Sequence, residues 1–244
     1  MLISMGSNCY VSWTFRKVGL QNGSYPLDWV NTFRFGGAIR FLQDFGPTLF
    51  NHLTPSEREP DRGKPNIYAL DEYMIRLPHE HDVTPDITRS EIAEKYSRRM
   101  GRLKEVCRTT PHVIFVRAVA ERCYDLPNET ASEYSSEQFA VADSLLQELC
   151  GGRHFTLLLL HGSKGYFDNV APHPRIRTAH LGLPFENGFF TANARLPQKQ
   201  QAFDIFSEAL TPLAHARSSE EATACLRHPV FKGAAVSLKG MFSD

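Results

Sequence analysis

An α/β fold with a mostly parallel sheet and crossover helices is predicted for this 244-residue chain by three observations. Apolar, β-branched or leucine-rich runs at 112–117 and 155–160 read as strands buried on both faces, as a parallel sheet requires. Helical patterns with recognisable starts lie between them, which is the rhythm of strand, crossover, strand. At the N-terminus the apolar run 2–5 meets Gly6-Ser7-Asn8 and then residues at helical spacing (Tyr10, Val11, Trp13, Thr14, Val18), so a strand, a tight turn and a helix are expected there.

The remaining elements follow in chain order. Gly19 stands where that first helix would be capped. Phe33, Ile39, Phe41, Leu42 and Phe45 give a second helical stripe over 33–45, weakened at its front by Gly36 and Gly37. The polar, proline-punctuated stretch 54–65 reads as a long exposed loop. Thr88 with Glu91 forms a capping-box signature ahead of a strong helix running to about Arg108. Ser135 with Gln138 opens another helix through Leu149, closed by Gly151-Gly152, and 175–181 alternates like a further strand. Helices are expected at 199–210 and 219–226. At about 150 residues per domain the length favours one unit, and with no repeat or persuasive linker, residues 1–244 read as a single domain.

Composition narrows the function. Lys plus Arg and Asp plus Glu both number 27, so no net field is available to hold a polyanion, and a nucleic-acid partner is not expected. Hydrophobic residues at 42% against 22% charged exclude a disordered chain. No apolar run approaches the ~20 residues of a membrane span, and the N-terminus lacks the pattern of a secretory leader. The five cysteines are odd in number and scattered, without a Cys-x-x-Cys pair, which suits a reducing compartment and predicts neither a disulfide framework nor a zinc ribbon. A cytoplasmic location, no cofactor and no metal are the expectations.

Several clusters could carry chemistry. Cys9 follows the first strand-to-helix turn, where unpaired backbone amides and the helix dipole favour a thiolate. Gly6, Ser7, Asn8 and Tyr10 belong to that turn, and their amides are candidates to hold an oxyanion or another anion. Cys9 as a small buried core residue is the competing reading. His79-Glu80-His81-Asp82 is the densest polar constellation, offering a histidine base beside a carboxylate, or simply a solvated loop. His161, at a strand end, and His180 are rival bases. Asp28, set between Leu27 and Trp29, is expected to be buried, where it would orient a histidine or cap a loop. Arg98 and Arg102 share a helix face and form a candidate anion clamp, or a solvated basic face.

Five segments in order, Ile3-Ser4-Met5-Gly6-Ser7-Asn8-Cys9, Ser24 to Trp29, His81-Asp82, Lys95 to Arg102 and Val113 to Arg117, together resemble a bacterial and viral family of unknown function labelled a papain-like cysteine peptidase. The resemblance covers roughly the first half of the chain, with a looser fit through 155–160. It implies Cys9 as nucleophile, His81 as base and Asp82 or Asp28 as the orienting acid, acting on a peptide; His79 stays open as an alternative base. A nucleophile directly after the first strand also looks like the layout of SGNH hydrolases and related carbohydrate acyltransferases. The alternative expectation is therefore a carbohydrate-modifying transferase, moving an acyl or glycosyl group on a glycan-linked small molecule, with phosphate or nucleotide at Gly6 to Asn8 and Arg98 or Arg102 as counter-charge. A catalytically silent interaction module is the third.

Overall fold

A computed structural model describes residues 1–7, 9–21, 23–56, 67–80, 87–119, 129–162, 165–180, 204, 207–208, 210–215 and 218–225. Among these residues the strands form two four-stranded sheets. In the first, β1 (Leu2–Ser4), β6 (His112–Ala118), β7 (His154–His161) and β8 (Ile176–His180) lie side by side in that order, all parallel. In the second, β2 (Asn31–Thr32), β5 (Ile75–Leu77), β4 (Ile67–Leu70) and β3 (Thr54–Ser56) pair antiparallel. The protein is thus a mixed α/β fold with the expected parallel sheet and an unexpected antiparallel one.

The parallel sheet is covered on both faces, which is why its strands are apolar throughout. All of β6 is buried, as is β7 beyond His154. Ile3, Phe115, Phe155, Leu157 and Leu159 point into the larger core, whereas Leu2, Ile114, Val116, Leu158 and Leu160 point the other way. That alternation is the two-residue period of a strand. The second face is closed by Val11 and Phe15 of α1 (Cys9–Lys17), joined by Leu210 and Leu213.

Helix α1 ends as expected. Gly19 adopts φ = +71°, Leu20 N–H bonds the Phe15 carbonyl at 2.8 Å and Gly19 N–H bonds that of Arg16 at 3.1 Å. This is a Schellman ending, which satisfies carbonyls the helix leaves open. The first core holds α2 (Phe35–Gln43), α3 (Arg89–Thr109) and α4 (Ser136–Leu149). Helix α3 begins on the capping box read from the sequence: Glu91 N–H bonds Thr88 Oγ1 at 3.2 Å, and Thr88 N–H bonds Glu91 Oε2 at 2.8 Å. Its buried stripe is Ile92, Tyr96, Arg99, Met100, Leu103 and Cys107. Helix α4 is capped by Ser135 and ends at Gly151 and Gly152, both at positive φ. A further helix, α5 (Ser219–Cys225), lies near the C-terminus; residues 199–203 and 226 lie outside the described residues.

The segment read as a loop at 54–65 begins instead with β3, while 57–66 lie outside the described residues. Strands of two to four residues are too short for periodicity to register, and Pro55 reads locally as a breaker. The paired glycines at the front of α2 also acquire a reason: a Cβ on Gly37 would lie 2.1 Å from the Tyr73 carbonyl oxygen. Helix α2 therefore meets the turn between β4 and β5 backbone to backbone, and Phe41 packs edge-on against Tyr73 and Tyr96. No helix among the described residues is long and apolar enough to cross a membrane.

Replacing Gly37 with Ala forces the Tyr73 backbone to move. A loss of about 1–3 kcal/mol is expected in denaturant unfolding, against a small change for Gly101→Ala, where nothing lies within 4 Å of the added Cβ.

Candidate active site

The first strand-to-helix turn is held from the side by β2. After Ser4, Met5 N–H still bonds the Val116 carbonyl at 2.8 Å, so β1 runs one residue further along β6 before the chain turns. Gly6 (φ = +77°) and Ser7 (φ = +86°) then take left-handed conformations in succession. Thr32 fills the hollow: a Cβ on Gly6 would lie 2.6 Å from Thr32 Oγ1, which is why no larger residue fits. Ser7 N–H donates to Thr32 Oγ1 at 2.6 Å, Thr32 N–H donates to the Ser7 carbonyl at 3.0 Å, and Gly6 N–H donates to Ser4 Oγ at 3.2 Å. The Gly6 and Ser7 amides, candidates for anion binding, are thus engaged within the turn. Cys9 is the first residue of α1, at the C-terminal edge of the parallel sheet.

Behind the turn lies Arg117, the penultimate residue of β6 and fully buried. Its Nη1 donates to the Met5 carbonyl at 2.9 Å and to Thr32 Oγ1 at 2.7 Å, and its Nη2 donates to the Thr32 carbonyl at 3.1 Å and to Glu129 Oε1. Burial alone would lower its pKa, but Glu129 and the Tyr134 hydroxyl reverse this and raise it. Tyr166 Oη donates to the Glu129 carbonyl at 2.7 Å. Beyond Tyr166, His161 packs against Phe167 and His180 with ring centroids 5.0 and 5.3 Å apart, and His180 Nε2 lies 2.8 Å from the Gly162 carbonyl. Polar groups thus stand at the C-terminal ends of β6, β7 and β8.

Asp28 is buried in the loop 24–29 and caps it. Its carboxylate accepts from Ser12 Oγ of α1 and from Tyr25 N–H, both at 2.7 Å, and from Gln21 Nε2. Arg99 of α3 reaches the Asp28 carbonyl at 3.3 Å. Burial raises the Asp28 pKa, although those hydrogen bonds and the Arg99 charge pull it down. Arg102, one of the two residues of the expected anion clamp, directs Nε and Nη2 at the Ser24 carbonyl, at 3.1 and 2.8 Å, and so fastens this loop to α3. Arg98 stands exposed, 3.9 Å from Glu94.

Of the polar constellation, the described residues His79 and Glu80 lie against Trp29 and α3 respectively. Glu80 is buried, pairs with Lys95 Nζ at 2.7 Å and accepts from Tyr96 Oη at 3.2 Å. His79 stands edge-on to Trp29 at 6.1 Å, and Arg16 of α1 lies over the same indole at 5.1 Å. The structure so brings His79, the Asp28 loop and α1 together. Asn8, His81 and Asp82 lie outside the described residues, as do the side chains of Cys9 and Tyr10. No group of three His, Cys, Asp or Glu among the described residues could hold a metal ion.

Residues 1–138, more than half of the chain, match the family described as "Putative papain-like cysteine peptidase (DUF1796)". The chain belongs to this family. No curated protein and no solved structure gives a significant match. The stretch that matches this family takes in the turn, Thr32, Asp28, α3, Arg117 and Glu129; His161 and His180 fall beyond it.

Thr32, Glu129 and Tyr134 were not singled out from the sequence. The one local signal was Arg117, a cation ending the apolar run His112 to Val116. Such a residue must find acceptors where the strand ends.

Asp28→Asn tests the loop cap. An amide cannot reproduce the set of hydrogen bonds the acid makes with Ser12, Gln21 and Tyr25, at a cost of about 1–3 kcal/mol. Because the folded-state pKa is raised from its usual 3.8, the wild-type contribution is full below that value and falls as pH rises through the folded pKa. The variant's deficit in unfolding free energy should therefore narrow between pH 4 and pH 7; a deficit that widens with pH contradicts the assignment.

Proposed function

We propose that the protein is a cysteine-nucleophile hydrolase acting on an amide bond, with Cys9 as nucleophile, His81 as general base and acid, and Asp82 orienting the histidine. One observation carries the reading: Cys9 opens α1 directly after a rigid turn, inside the stretch that matches the family. The first-turn amides of a helix lack intrahelical partners and the dipole is positive there, so a thiolate is favoured over the thiol.

The reaction follows from those roles. His81 takes the Cys9 proton, the thiolate attacks the carbonyl carbon, the C–S bond forms as the C=O π bond opens, and the first-turn amides of α1 hold the developing oxyanion. Collapse breaks the C–N bond as His81 gives its proton to the leaving amine. Water then attacks the thioester while His81 takes its proton, releasing a carboxylic acid and regenerating the thiolate. Asp28 is less suited to orient the base, since Ser12, Gln21 and Tyr25 already occupy its carboxylate. His79, beside Trp29, is the alternative base, and His161 is weakened by lying outside the matched residues.

Transfer to a sugar hydroxyl is the second reading, favoured by the parallel sheet that leads straight into Cys9. The chemistry is the same up to the thioester, with a hydroxyl in place of water. A phosphate cradle at the turn has less support, because the Gly6 and Ser7 amides are engaged.

Alkylation by iodoacetamide, followed site by site by mass spectrometry across pH 5–10, tests the proposal. Cys107 and Cys150 are fully buried and compete poorly. Cys9 is expected to react with a midpoint below about 7.5, against about 8.5 for an ordinary thiol, and His81→Ala should slow it near neutrality. A Cys9 midpoint near 8.5, unaffected by His81→Ala, refutes the reading.

A further inference from the structure

We propose that Thr32 and Arg117 are positioning residues for the reactivity of Cys9: together they lock the Gly6-Ser7 turn and so hold the first turn of α1 at one place on the sheet edge. This rests on the nucleophile reading above and extends it to residues that touch no substrate.

The contacts converge on one hydroxyl. Thr32 Oγ1 accepts from Ser7 N–H at 2.6 Å and from Arg117 Nη1 at 2.7 Å, so a side chain of β2 joins the turn to the end of β6. Arg117 also grips the Met5 carbonyl just before the turn and the Thr32 carbonyl beside it. Only four residues of chain separate Ser4 from Cys9, and the turn has little freedom once both ends of Gly6-Ser7 are tied.

Two features argue that this is more than packing. Ser7 holds φ = +86° without being glycine, a conformation costing about 1–3 kcal/mol that persists only where neighbours over-determine it. Arg117 and Glu129 bury opposite charges completely at a place where apolar side chains of similar volume would usually be at least as stable. Strain and buried charge are both spent on a single peptide segment, the one leading into α1. Helix amides assist a thiolate only from a defined distance and direction, so a displaced first turn loses the effect.

The test uses the full-length chain and isosteric variants. Thr32→Val keeps the shape but removes the acceptor for Ser7 N–H and Arg117; Thr32→Ser keeps the acceptor. The iodoacetamide rate at Cys9 is measured across pH 5–10 together with the melting temperature. Thr32→Val is expected to raise the Cys9 midpoint by about one pH unit and to slow alkylation below it about tenfold, while Thr32→Ser restores wild-type behaviour. Arg117→Lys, which cannot span the same acceptors, should shift the midpoint in the same direction. If Thr32→Val lowers only the melting temperature and leaves the Cys9 midpoint low, the pair is merely structural and the inference fails while the nucleophile reading stands. If wild-type Cys9 itself titrates near 8.5, both fall.

Discussion

A guanidinium without access to water must be surrounded by acceptors, and at Arg117 those acceptors come from three separate parts of the chain. The Met5 carbonyl belongs to the end of β1, the Thr32 hydroxyl and carbonyl to β2, and Glu129 to the segment before α4. Leaving such a charge unpaired in the interior costs several kcal/mol, so the pieces it joins assemble together or not at all. The arrangement gives the antiparallel sheet its place in the molecule: β2 is only Asn31–Thr32, yet it links that sheet to the edge of the parallel one.

A second set of polar anchors holds the other side of α1. Asp28 bonds Ser12, Arg99 bonds the Asp28 backbone, and Arg102 bonds Ser24. Glu80 meets Lys95 and Tyr96 on the same helix α3. Helix α3 therefore fastens both the loop at 24–29 and the start of the 79–82 constellation. Apolar burial builds the two cores, and these hydrogen bonds decide where the loops between them lie.

The two levels of organisation were not equally legible in the sequence. The parallel sheet was, because seven- and eight-residue strands buried on both faces leave long apolar runs, and because Thr88 with Glu91 and Ser135 with Gln138 mark helix starts by local chemistry. The antiparallel sheet was not: its strands are too short to show a period, and β4 and β5 are joined through Met74 at φ = +53°, a turn that no glycine announces. Cys9 could be set at the head of a helix from Gly6-Ser7-Asn8 alone. Thr32 could not be connected to that turn, since its partner Arg117 is 85 residues away and nothing local ties the two. The burial of Asp28 was readable from Leu27 and Trp29; the donors around it were not.

The choice of arginine at position 117 bears on how the turn responds to its surroundings. A histidine or lysine in the same seat would shed its proton somewhere in the range where proteins work, and the grip on Met5 and Thr32 would loosen with it. Guanidinium keeps its charge throughout, and Glu129 strengthens that further. The cation that braces the turn ahead of α1 consequently keeps its charge whatever the acidity, and any sensitivity of this chain to proton concentration must originate in other side chains.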